Sequence, residues 1–236
     1  MHAGCQSKFN TNVCICGYEE TSGANPKVNT ANLGYSLREP EQLYVRQVVS
    51  ANIACGKLFR KECFKTIRFP VGKIHEDEYT THKILFQYPS VAIVAAPLYA
   101  YFINLQGITK SQWTPKKLDL IETLAQQCIF FEANGYNKAY QFCCRRYLSC
   151  LAKQIKIVKQ EYPELKPVAQ KVLARVLREY HGAADISIKD DEWIFWQVFP
   201  FFITMQHKYL CTCNYIKQFG FKATLSFVFR KILHLK

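Results

Sequence analysis

The stretch from Phe69 to Lys83, F-P-V-G-K-I-H-E-D-E-Y-T-T-H-K, constrains the local fold more than any other in the chain. Pro70-x-Gly72 favours a turn, because proline presets φ and glycine accepts left-handed backbone. Three consecutive acids, Glu76, Asp77 and Glu78, follow almost at once. Carboxylates are stabilised at the positive end of a helix, so a helix is predicted to open at this triplet and to run through Phe86. Such a junction has two uses: a solvated helix start, or a carboxylate delivered to a cleft.

Composition narrows the classes. The 236 residues are 49% hydrophobic and 14% aromatic, enough to bury a core, which excludes wholesale disorder. The length suits one large domain, or one domain with an appendage. Lys and Arg number 31 against 18 acids, a formal charge of +13 that attracts nucleic acid, anionic lipid or phosphorylated substrates. The positive charge is spread along the chain without a recognition motif, so no nucleic-acid partner is expected. The eleven cysteines form no C-x-x-C pair, and most lie among apolar residues, as small hydrophobes do. This usage predicts a reducing, cytosolic compartment and no structural metal. The first twenty residues hold no signal-peptide core, and no run of eighteen apolar residues exists.

Along the chain, Val13 to Tyr18 (V-C-I-C-G-Y) reads as a buried strand and the polar residues through Gly34 as a loop. Glu39-Pro40-Glu41 opens a helix whose apolar face is Leu43, Val45, Val48 and Val49. Ile53 to Lys57 is a strand-to-loop transition, followed by a helical turn over Phe59 to Phe64. Val91 to Ala95 and Leu98 to Tyr101 are predicted as two strands flanking Pro97. After Thr114-Pro115 the chain turns helical. Leu118, Ile121, Ala125, Cys128 and Phe131 mark one face until Asn134-Gly135, and two further helices cover about Lys138 to Lys159 and Pro167 to Tyr180. Beyond Glu192 there is no acid, and six Lys or Arg alternate with dense aromatics, a pattern suited either to an interfacial membrane anchor or to a packed helix pair.

Three segments in order carry a resemblance: A-C-G-K-L-F-R-K-E-C-F-K-T-I-R-F-P (Ala54 to Pro70), the F-P-V-G-K-I-H-E-D-E element, and V-A-I-V-A-A-P-L-Y-A-Y-F-I-N (Val91 to Asn104). In this arrangement the chain resembles the acceptor half of a family 2 glycosyltransferase, from about Val13 to Tyr147. The resemblance implies an α/β fold: a partial GT-A-type sheet with flanking helices, then a helical C-terminal region. The expected parts are 1–112 as the partial transferase domain, 113–182 as a helical extension and 183–236 as the basic aromatic segment. It also implies inverting transfer of a sugar from a nucleotide-sugar donor to a glycan or lipid-linked acceptor, in cell-envelope or capsule polysaccharide synthesis at the cytosolic face of the plasma membrane. An anionic membrane surface is the further partner expected.

On the matching positions the resemblance assigns Asp77 as catalytic base, with Glu76 orienting the helix start or the acceptor. Glu78 is expected to face solvent. Lys57, His75, Tyr101, Asn104 and Lys110 are the candidate substrate-binding residues. Lys57 is either a surface charge or a contact for the leaving group, and the aromatics are either core or sugar-stacking platforms. The sequence departs from the pattern at Cys55 and Gly56, where close relatives carry Trp and Asn, at Gly107 (Ser) and at Lys110 (Arg). A complete enzyme of the family holds Mn or Mg on an Asp-x-Asp. No Asp-x-Asp occurs here, and no strand with a Gly-rich loop precedes Val13. The expectation is therefore a truncated chain, inactive by itself and without a cofactor. The alternative is a non-catalytic remnant that binds acceptors or a partner chain.

Overall fold

The computed structural model describes residues 8–22, 33–104, 107 and 111–180. Lys110 and the basic aromatic segment 183–236 lie outside the described residues. The fold is a mixed β-sheet with flanking helices, followed by a helical C-terminal region. The chain divides into two compact units at Phe142–Cys143.

The four-stranded sheet of the first unit has the order β2-β4-β1-β3. Strand β1 (Val13–Thr21) lies parallel to β4 (Val91–Phe102) and antiparallel to β3 (Lys57–Phe59), while β2 (Tyr35–Arg38) pairs antiparallel with the first residues of β4. Val13, Cys14, Ile15 and Cys16 are all buried, as expected of an inner strand whose two faces are both covered. On one face Cys14, Cys16, Ala92, Val94 and Ala96 form a core cluster beneath Phe9, Leu33, Tyr35, Leu58 and Leu98.

Two local expectations are corrected. The strands predicted on either side of Pro97 are one strand, β4. The described β2 pairs lie at Val91–Val94, so the β2 ladder does not call on the N–H that Pro97 lacks. On the other side Pro97 faces Gly17 at a register shift, and a β-carbon on Gly17 would stand 3.2 Å from the Ala96 carbonyl oxygen. The second correction is β2 and β3, short strands whose sequences carry no clear alternation. Their pairing with β4 and β1, and not their own composition, makes them strands.

The helices follow the apolar periodicity closely. Helix α1 (Pro40–Arg46) takes proline in its first turn, α2 (Val48–Asn52) continues it after a break at Gln47, and α3 (Glu76–Leu85) begins at the acidic triplet. In α4 (Asp119–Ala133) the face of Ile121, Leu124, Ala125, Cys128 and Phe131 is fully buried. Tyr44 of α1 packs its ring 4.7 Å from Phe131 and 6.2 Å from Phe86, joining α1, the end of α3 and α4 in one aromatic cluster. Helices α5 (Asn137–Glu161) and α6 (Lys166–Glu179) complete the described chain, with Leu173, Val176 and Leu177 of α6 buried.

Candidate active site

The Pro-x-Gly turn and the acidic triplet are held in place from α4. Asp119 accepts a hydrogen bond from the Ile74 N–H at 3.1 Å, and the Lys73 ammonium reaches both Asp119 (3.4 Å) and Glu122 (2.9 Å). The Tyr79 hydroxyl donates to the Asp119 carbonyl at 2.9 Å. These bonds fix where α3 starts, and with it the direction of its first carboxylates.

The three acids diverge. Glu76 is exposed. Glu78 is tied inward, its carboxylate accepting from Gln127 Nε2 at 2.9 Å, which corrects the expectation that it faces solvent. Asp77 is partly buried. Its Oδ1 accepts the Glu78 N–H at 2.8 Å and its Oδ2 the Ala54 N–H at 3.4 Å. The Glu78 N–H also donates to the His75 carbonyl at 3.0 Å, so Asp77 shares this donor at the helix start. Burial raises the Asp77 carboxyl above the ordinary aspartate range, with the neighbouring Glu78 and Glu76 adding to the rise and the two N–H bonds opposing it. Desolvation therefore outweighs the two N–H bonds, so the group takes up a proton more readily than a solvated aspartate.

Ala54 belongs to the wall of a cleft of about 350 Å³ that is also lined by Cys16, Cys55, Gly56, Lys57 and Tyr99. Asp77 stands behind that wall. Lys57 turns its ammonium to the Ser50 carbonyl (2.5 Å) and to the Ile53 carbonyl, closing the C-terminal end of α2. Burial pulls its pKa down to about 8, with Asp77 the largest opposing charge. The Tyr99 phenol is raised, first by its hydrogen bond with the Cys55 thiol. Gly56 has φ +68°, and a β-carbon there would stand 3.0 Å from the Cys16 carbonyl oxygen. Glycine and asparagine are the residues that tolerate this backbone, which gives a conformational reason for Gly56 where the family pattern has Asn.

Of the remaining candidates, His75 sits just before α3 with φ +59°, a left-handed conformation that is uncommon for a residue with a side chain. Tyr101 lies two residues beyond Tyr99 on the same face of β4 and packs its ring 5.8 Å from Tyr18. Asn104 is exposed past the end of the strand, where its carbonyl accepts the Gly107 N–H. The fold thus puts Lys57 in the lining of this cleft, Asp77 behind its Ala54 wall, and Tyr101 two residues beyond Tyr99 on β4. Two contributors were not singled out from the sequence: Tyr99, which the Tyr99–Tyr101 alternation signals, and Gln127, a buried amide in α4 with no local signature.

Among the described residues no group of His, Cys, Asp and Glu side chains converges as a metal site. The divalent metal implied by the resemblance therefore finds no fitting donor set in the described residues. Asp77 and Glu78 each have an oxygen engaged by a protein N–H.

The sequence matches no family model. Over 102 residues it is 31% identical to Glycosyltransferase GlyA of Streptococcus pneumoniae serotype 4 (strain ATCC BAA-334 / TIGR4). The chain is a distant relative of a glycosyltransferase. The aligned stretch is 43% of this chain and 14% of that protein, so the chain spans only a small part of its relative's length. Among the described residues no helix is long and apolar enough to cross a membrane.

Proposed function

We propose that this chain carries the acceptor-side machinery of an inverting, family 2-type sugar transfer from a nucleotide-sugar to a glycan or lipid-linked acceptor. The observation that carries the reading is Asp77, a partly buried carboxylate of raised basicity at a helix start beside the Lys57–Tyr99 cleft. The distant similarity to GlyA supports the same chemistry.

In this mechanism the acceptor O–H gives its proton to the Asp77 carboxylate as its oxygen bonds to the anomeric carbon. The bond from that carbon to the donor's diphosphate oxygen breaks on the opposite face, and the diphosphate leaves with the electron pair. A raised pKa suits a base that must hold the proton once the oxygen has attacked. Lys57 acts as a positioning residue: its ammonium holds the end of α2 and the approach to Ala54, whose N–H orients Asp77. Tyr99 and Tyr101 offer exposed faces to a pyranose ring, and Glu76 and Asn104 are exposed polar side chains of the kind that bind sugar hydroxyls. In a complete enzyme a bound metal would stabilise the charge of the leaving diphosphate. The membrane role rests on the composition of 193–236 alone.

The test joins this chain to the nucleotide-binding half of a related transferase and measures both donor affinity and transfer. Asp77→Asn should keep the affinity and lower transfer by about 10² to 10⁴. Transfer within tenfold of the parent would leave Asp77 as a helix cap only.

A further inference from the structure

A second cleft of the first unit, about 540 Å³, lies between the sheet and α1, and Asp77 does not line it. Its size is within the range of about 300 to 1,000 Å³ common for small-molecule sites. Its polar lining comes from Ser36 and Arg38 of β2, Gln42 and Arg46 of α1, Gln47, and Ser50 of α2. Among the described residues no carboxylate lines it. Glu41, the acid of the α1 first turn, is engaged elsewhere: its Oε1 accepts the N–H groups of Lys138 (2.9 Å) and Ala139 (3.0 Å). The uncharged walls are Ile15 and Ile93 of the sheet, with Leu43 opposite.

Both guanidinium groups are exposed and free of ion pairs among the described residues. Arg38 donates only to the carbonyl of its neighbour Leu37, at 3.0 Å, and Arg46 stands in the last turn of α1, where helix carbonyls favour a cation. Two arginines, two amides and two hydroxyls around an apolar floor form a donor-rich cleft with no competing carboxylate among the described residues. Guanidinium forks match the paired oxygens of phosphate and carboxylate, and they give up hydration more readily than ammonium groups.

We propose that this cleft is an anion-binding site in which Arg38 and Arg46 hold a phosphate or carboxylate group, while the uncharged body of the ligand rests on Ile15, Ile93 and Leu43. The site does not depend on the transfer chemistry proposed above. Of the residues that line the Lys57–Tyr99 cleft, it shares Cys16 alone.

The alternative source of anion affinity is the overall charge of +13, which attracts any anion to any basic face. Titration calorimetry of the full chain at low salt separates the two, with glucose 1-phosphate as the phosphate probe, glucuronate as the carboxylate probe and glucose as the neutral control. One-site saturation by at least one of the anions is expected, and none by glucose. Whichever anion binds more tightly identifies the oxyanion. Arg46→Gln and Arg38→Gln should each weaken that binding about tenfold or more. Arg60→Gln, another exposed arginine outside the cleft, should leave it within twofold. Unchanged circular dichroism establishes that the variants are folded. Absence of saturation with both anions, or an equal loss in Arg60→Gln, would overturn the proposal.

Discussion

Gln127 donates to Glu78 twice, to its carboxylate at 2.9 Å and to its main-chain carbonyl at 2.7 Å. The same buried amide accepts the Tyr44 hydroxyl at 2.5 Å, so one side chain of α4 ties together α1 and the start of α3. Buried amides are costly unless paired, and here the pairing fixes the helix turn on which Asp77 sits. Gln127→Leu removes the acceptor of Tyr44 and the donor to Glu78. We expect a loss on the order of 2 kcal/mol, read as a lower urea midpoint, with Tyr44→Phe costing less. Equal midpoints for Gln127→Leu and the parent would remove this network from the account of the site.

Asp77 predicts a pH dependence of opposite sign to that of a salt-bridged carboxylate. Its folded pKa lies above its unfolded one, so the folded state holds the proton more tightly, and stability is lost as pH rises through the folded pKa. Asp77→Asn keeps a capping oxygen without the charge. It should be at least as stable as the parent at pH 7, with the difference closing below about pH 4. Thermal melts across pH 3 to 8 test this, and a variant that is markedly less stable at pH 7 would mean that the N–H bonds outweigh desolvation.

Lys57 acts at the alkaline end. With its folded pKa lowered to about 8, the folded state releases its proton first. The unfolded chain keeps its proton to about pH 10.4, so stability is expected to rise between these values. The slope should vanish in Lys57→Met. Parallel pH profiles for the two proteins between pH 8 and 10 would show that burial does not lower the pKa of this ammonium.

Gly56 offers a conformational test. At φ +68° a β-carbon is strained and also meets the Cys16 carbonyl oxygen. Gly56→Ala should cost about 1–2 kcal/mol or more, and Gly56→Asn less, because asparagine tolerates this region. A melting temperature unchanged in Gly56→Ala would mean that the loop relaxes to another conformation.

His75 is the converse case, a side chain held at φ +59°. Left-handed backbone costs a residue with a β-carbon roughly 1–2 kcal/mol, and glycine's greater unfolded entropy returns part of that. His75→Gly should therefore raise stability by up to about 1 kcal/mol. A loss would point to side-chain contacts that hold the turn.

Local chemistry, which is written residue by residue, was legible without coordinates. The apolar face from Ile121 to Phe131, the proline opening of α1 and the acids opening α3 each depend on neighbours within a turn or two. The sequence by itself also determined the order of segments that resembles a sugar transferase, and the candidacy of Asp77 and Lys57. Tertiary structure decided what depends on distant partners. Tyr35–Arg38 is a strand because β4 pairs with it, and Pro97 lies within a single strand that pairs with β1 on both sides of it. Glu78 turns inward because Gln127, 49 residues away, supplies a donor. The basicity of Asp77 was decided by burial beside Ala54, since desolvation depends on what surrounds a carboxylate and not on the acids beside it in the chain.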